Sequence, residues 1–146
     1  MKKISERLRE LRKQAGFTQK QIGEYLGIDS GSYAWYEKEK GNPTRQAIRM
    51  LCDLYQVSAE YLTGGEETGK KYKKGEWEEI PQRLRQLRHA ASMSQKAVAE
   101  ALKIHRESYV YYENGKFEPR MVNLYQLKDL FGVSMDELLG RIEEEK

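Results

Sequence analysis

One cysteine, three prolines and no long apolar run set the first limits on this chain. Cys52 has no second cysteine to pair with, so the fold is not a disulfide-stapled secreted scaffold. No stretch approaches the roughly 20 apolar residues that a membrane-spanning helix needs. Met1, Lys2 and Lys3 open the chain with basic character, but Ile4 to Arg9 mix apolar and charged residues, which argues against a signal peptide. Together these absences predict a cytoplasmic, soluble protein. An excess of one charge is also missing: 26 basic residues against 23 acidic ones leave a net charge of +3. A chain so balanced does not coat polyanions by bulk charge, and any such affinity has to come from charge placed on one face. His89 and His105 stand apart without the cysteines or carboxylates that zinc spacing requires, so neither metal nor cofactor is expected. Cys52 follows Ile48 by one helical turn and reads as a small buried hydrophobe rather than a nucleophile. No glycine-rich phosphate loop follows a strand, and an enzyme is not the expected reading.

What the chain has instead is an internal repeat. Residues 4–64 and 80–140 align at a constant shift of 76 without a gap, and 25 of the 61 positions are identical. Leu8/Leu84, Arg12/Arg88, Gln19/Gln95, Glu37/Glu113 and Pro43/Pro119 are among them. Repeats of this length are two small domains rather than solenoid units, which are shorter and need several stacked neighbours. The expected division is a domain over 1–64, a linker over 65–79 and a second domain over 80–146. Both domains lie near the lower size limit for independent folding, so each needs an efficient core. A mean hydropathy of −0.88 suits small helical units with much surface. The linker is rich in glycine and charge, and Lys70, Lys71, Lys73 and Lys74 read as a solvated run, with contact to phosphate as the alternative. Trp77 is placed against the second domain, and the tail Glu143 to Lys146 reads as a frayed helix end.

Helical periodicity accounts for both copies. Ile4, Leu8, Leu11 and Ala15 line a first helix that ends at Gly16. Thr18-Gln19-Lys20-Gln21 has the form of a capping box and starts a second helix, broken by Gly27. A four-residue turn leads to a third helix, capped by Asp29 or Ser30 and running to about Lys38. Thr44 caps a fourth helix with Ile48, Leu51 and Tyr55 inward, and Ser58 caps a short fifth. Copy two repeats the plan, with its third helix over about Arg106–Asn114 and a capping box at Ser134-Met135-Asp136-Glu137. No segment alternates over strand length, so the expected class is all-α, with five helices in each domain. Gly23 and Ala99 stand where a larger side chain would push the second and third helices apart. Ile28, Tyr33 and Tyr36 are expected in the core.

The stretches Phe17-Thr18-Gln19 to Tyr36-Glu37 and Met93-Ser94-Gln95 to Tyr112-Glu113-Asn114-Gly115-Lys116 resemble the Cro/C1-type (XRE-like) helix-turn-helix family of DNA-binding repressors. So do the endings Val57 to Leu62 and Val133 to Gly140. The resemblance covers about 122 residues, as two registers of 61. It implies two tandem lambda-repressor-like domains that bind double-stranded DNA and regulate transcription. It assigns Gln19 and Gln95 to a phosphate at the start of the second helix. It assigns Ser30, Gly31 and Trp35 in copy one, and Arg106, Glu107 and Tyr111 in copy two, to base edges in the major groove. Lys40 and Lys116 would hold the backbone. Arg12 with Glu37, and Arg88 with Glu113, match the family's structural ion pair.

Departures from the family pattern separate the copies. Glu39 stands where glycine is usual, and Lys103 stands where the turn prefers glycine. Ala34 and Val110 occupy a position often polar. Trp35 and Tyr111 fall on the outer face, suited to thymine methyls, sugars or a protein interface. Different reading sets imply different half-sites. A linker extended to roughly 50 Å would let one chain cover two half-sites one DNA turn apart, about 34 Å. Pairing of two chains into a homodimer stays open. The alternative reading is a protein-interaction or dimerisation module of antitoxin or anti-repressor type, in which one or both copies do not bind DNA.

Overall fold

A computed structural model describes residues 2–145. Met1 and Lys146, the outer limits of the two expected domains, lie outside the described residues. The chain divides into two compact units, Met1–Lys70 and Lys71–Lys146.

In the first unit, α1 (Ile4–Ala15), α2 (Gln19–Leu26), α3 (Ser30–Glu37), α4 (Arg45–Tyr55) and α5 (Ala59–Leu62) follow one another. Local chemistry sets their starts. Thr18 accepts from the Gln21 amide while Gln21 reaches back to the Thr18 amide, a complete capping box. Asp29, Thr44 and Ser58 each accept from an amide three residues on. Leu8, Ile22, Tyr33, Ile48, Leu51, Cys52 and Leu62 are buried together as the core. Arg7 is buried as well, its guanidinium stacked 3.7 Å from the Tyr61 ring centroid and bonded to the Tyr61 carbonyl at 2.7 Å. Ile28 and Tyr36, expected in the core, are half-buried.

The second unit repeats this order with α6 (Ile80–Ala90), α7 (Gln95–Leu102), α8 (Arg106–Asn114), α9 (Met121–Phe131) and α10 (Met135–Leu139). Leu84, Val98, Tyr109, Leu127, Met135 and Leu138 take the core positions. Ser94 and Ser134 cap their helices. Tyr112 and Asn123 form a buried polar pair at 2.7 Å that has no counterpart in the first unit.

Strict all-α is not what the chain adopts. Two strands, β1 (Tyr72–Trp77) and β2 (Arg141–Glu143), pair antiparallel, with Tyr72 opposite Glu143 and Trp77 opposite Arg141. The register slips between those pairs. Arg141 holds the ribbon in place. Its guanidinium lies 4.5 Å from the Tyr72 ring and 5.0 Å from the Trp77 ring, and it pairs with buried Asp136 at 3.2 Å. At Gly140 a Cβ would lie 2.7 Å from the Glu78 carbonyl oxygen, so only glycine fits the approach. Within the stretch expected to be a linker, residues 72–77 form β1. Glu67 accepts from the Ser58 amide at 3.1 Å, and Tyr72 already belongs to β1. Of the tail expected to be a frayed helix end, Glu143 closes β2 instead.

Candidate nucleic-acid interface

Each unit holds its third helix by the same buried anchor. Arg12 Nε donates to Glu37 Oε2 at 2.7 Å and Nη2 to Oε1 at 3.0 Å, a two-bond fork that joins α1 to the end of α3. Arg88 and Glu113 repeat it at 2.6 and 3.1 Å. The glutamates are almost fully enclosed, with side-chain exposures of 2% and 3%. Burial is the largest single influence and pushes both carboxyls up, but the side-chain hydrogen bonds they accept, led by the arginines, and the arginine charge together outweigh it, and both are held below the ordinary carboxylate range. The same carboxylates accept from Gln19 Nε2 at 3.2 Å and Gln95 Nε2 at 3.3 Å. The family resemblance assigns these amides to phosphate; one amide N–H of each turns inward to the glutamate instead. Because Gln21 and Ala97 donate to the capping Thr18 and Ser94, what α2 and α7 still offer are the amides of Gln19 and Lys20 and of Gln95 and Lys96, which precede the intrahelical ladder.

The turns have three residues between helices, Gly27–Asp29 and Lys103–His105, one fewer than expected. Gly27 takes φ 75° and Lys103 takes φ 58°, so both copies turn in the left-handed region. A Cβ on Gly23 would come within 3.0 Å of the Ile28 carbonyl oxygen, which explains why the position is small. Ala99 fills the equivalent place and is buried.

Beyond the turn the copies diverge. Ser30, Gly31 and Trp35 are all exposed on α3, and Trp35 is 56% accessible. Asp29 caps this helix, its Oδ1 accepting from the Ser32 amide at 2.7 Å. Arg106 and Glu107 are exposed at the start of α8, where His105 makes no side-chain cap. Tyr111 is half-buried because Phe117 packs edge-on against it, centroids 5.2 Å apart. The Lys116 ammonium lies 4.4 Å from the Tyr111 ring, whereas Lys40 is simply exposed after α3. His89 and His105 are exposed, Cys52 is fully buried, and among the described residues no cluster could hold a metal ion. Among those residues, too, no helix is long and apolar enough to cross a membrane.

Two helix-turn-helix domain family models match the chain, one over residues 3–62 and another over 82–144. The cryptic phage CTXphi transcriptional repressor RstR of Vibrio cholerae is 31% identical over 100 residues, which cover 68% of this chain and 84% of RstR. The chain belongs to the XRE-type helix-turn-helix family. It carries two such domains in tandem. The HTH-type transcriptional regulator ImmR of Bacillus subtilis is 38% identical over 68 residues, 47% of this chain and 54% of ImmR. The uncharacterized HTH-type transcriptional regulator YobD of the same organism is 41% identical over 59 residues, 40% of this chain and 53% of YobD. The matched region thus spans about half the length of each Bacillus relative.

Within this helix-turn-helix frame, sequence reasoning passed over two sets of residues. Arg9 Nη2 donates to the Glu37 carbonyl at 2.8 Å, and Arg85 donates to the Glu113 carbonyl, so a second arginine from α1 and α6 fixes the end of each third helix. The signal was available: Arg9 and Arg85 are identical across the repeat. Lys20 and Lys96 are a second identical pair, exposed in the first turn of α2 and α7.

Proposed function

We propose that the chain is a sequence-specific, double-stranded DNA-binding regulator of transcription, acting as a repressor, with a reading head in each unit. The observation that carries this reading is the position of α3 and α8. Each is anchored at its far end by a buried Arg–Glu fork, while its first residues stand exposed beyond the turn. A short rod held rigid on one side and bare on the other is what entry into a major groove requires. The names of the relatives, regulators and a phage repressor, support the same conclusion. In this reading the first-turn amides of α2 and α7, with Lys20, Lys96, Lys40 and Lys116, bind phosphate. Ser30, Gly31 and Trp35 face bases from one head, and Arg106, Glu107 and Tyr111 from the other. Because the sets differ, the bound site is not a perfect palindrome.

Selection of bound duplexes from a random pool by the whole chain tests the proposal. A recovered consensus, with affinity falling steeply as salt rises, supports it. Recovery of no consensus, or binding indifferent to salt, overturns it.

A further inference from the structure

The constant shift of 76 lets the two reading faces be compared position by position. Tyr111, Lys116 and Phe117 in the second unit correspond to Trp35, Lys40 and Gly41 in the first. In the second unit the Phe117 ring stands edge-on to Tyr111 at an interplanar angle of 86°. In the first unit no side chain exists at position 41 to do this. A cleft of about 500 Å³ opens beside Trp35, lined by Asp29, Gly31, Ser32, Trp35, Tyr36 and Gly41.

The chemistry of the two faces differs in the same sense. Arg106 and Glu107 bring long hydrogen-bonding side chains to α8, where α3 has Ser30 and Gly31. Apart from two short hydroxyls, the outward surface of α3 has only the Trp35 indole to offer, and the Asp29 carboxylate is already engaged in capping. Such a face cannot make the two-bond contacts by which guanine or adenine is recognised. It can make apolar contact, and its small residues let the helix backbone come close to the base edges. In the major groove one standard base presents an apolar group, the C5-methyl of thymine.

We infer that the first head reads thymine methyl groups, with Trp35 and the cleft beside it receiving the methyl and its neighbouring sugar, while the second head reads by hydrogen bonds. The inference rests on the DNA-binding reading above and assigns the ligand chemistry of one head.

Deoxyuridine differs from thymidine by that methyl alone. The selected duplexes are prepared once with thymine and once with uracil throughout, and titrated with the full chain. Wild type is expected to lose about fourfold in affinity per methyl buried. Trp35→Ala removes the ring, and Gly41→Phe closes the cleft as Phe117 does in the second unit; both should bind thymine and uracil duplexes alike. A Cβ at Gly41 would sit 3.9 Å from Trp35 Cβ and 4.0 Å from Tyr36 Cδ1, ordinary contacts that admit a side chain. Trp35 is largely exposed, so its loss leaves the core intact, and a circular dichroism melt verifies folding of both variants. Equal wild-type binding to both duplexes, or an undiminished preference in Trp35→Ala, overturns the inference while salt-sensitive binding leaves the DNA reading standing. Failure to bind any duplex in a salt-sensitive way overturns both.

Discussion

Glu39 and Gly115 occupy the same place after α3 and α8, and both bend the backbone into the left-handed region, at φ 62° and 80°. The pattern recurs. Gly16 and Ser92 (φ 78° and 55°), Gly27 and Lys103 (75° and 58°), and Gln56 and Gly132 (55° and 66°) each pair a glycine with a side chain at one repeat position. The repeat therefore contains its own controls for backbone strain. A left-handed side-chain residue costs about 1–2 kcal/mol, offset by the roughly 0.5–1 kcal/mol that glycine loses in conformational entropy. Glu39 also pairs with Lys3 at 3.1 Å, but both ends are exposed and the pair contributes little. Glu39→Gly is expected to stabilise the first unit by about 0.5–1 kcal/mol, and Lys103→Gly the second by a similar amount. Guanidinium unfolding followed by circular dichroism checks this, and a lowered midpoint in both variants contradicts it.

The Arg12–Glu37 fork predicts a non-additive pair of mutations. Arg12→Ala leaves the Glu37 carboxylate enclosed without its main partner and should cost about 3–5 kcal/mol. Replacing both residues with apolar ones of similar volume, Arg12→Met with Glu37→Leu, should cost less than Arg12→Ala alone, because no buried charge then remains. Arg88 and Glu113 should behave in the same way. A double variant less stable than the single would show that the fork contributes more attraction than its desolvation costs.

Acid should loosen both units through these same glutamates. Their folded pKa values lie below the ordinary carboxylate value, which is about 4.3 in an unfolded chain. The unfolded state then binds more protons, so stability rises with pH across this window. Their contribution is complete above the unfolded value and is lost as pH falls through the folded one. Unfolding midpoints measured from pH 7 down to pH 2 should fall below about pH 4.3. The fall should be shallower in Glu37→Gln with Glu113→Gln. An identical pH profile in wild type and variant would remove these carboxylates as the cause.

Helix starts were legible because they are written locally. Thr18, Thr44, Ser58, Ser94 and Ser134 each cap a helix through an amide three residues away, and a reader needs no tertiary knowledge to place them. The ribbon was illegible for the opposite reason. Tyr72–Trp77 shows no alternation of its own; its order comes from Arg141, which is 64 residues further on and packs over both of its aromatic rings. Gln19 and Gln95 were legible as positions but not as directions. Their inward turn depends on Glu37 and Glu113 arriving from another helix. Phe117 follows the end of α8, and its edge-on contact with Tyr111 is visible only in three dimensions.

Arg106 and Lys116 are both exposed in the second unit and should fail differently when removed. Arg106 is exposed at the first position of α8, where a guanidinium can reach two acceptors of one guanine. Arg106→Ala is expected to cost about 1–3 kcal/mol against the selected site and to relax preference at a single base pair. Lys116 is held over the Tyr111 ring at 4.4 Å, beyond the end of the helix, where a phosphate rather than a base would meet it. Lys116→Ala should weaken binding by a similar factor on every sequence and lower the salt slope by about one. Site selection and salt titration on both variants separate the two roles. Unchanged selectivity in Arg106→Ala would remove it as a reader, and an unchanged salt slope in Lys116→Ala would leave its ammonium as a cap on the aromatic pair alone.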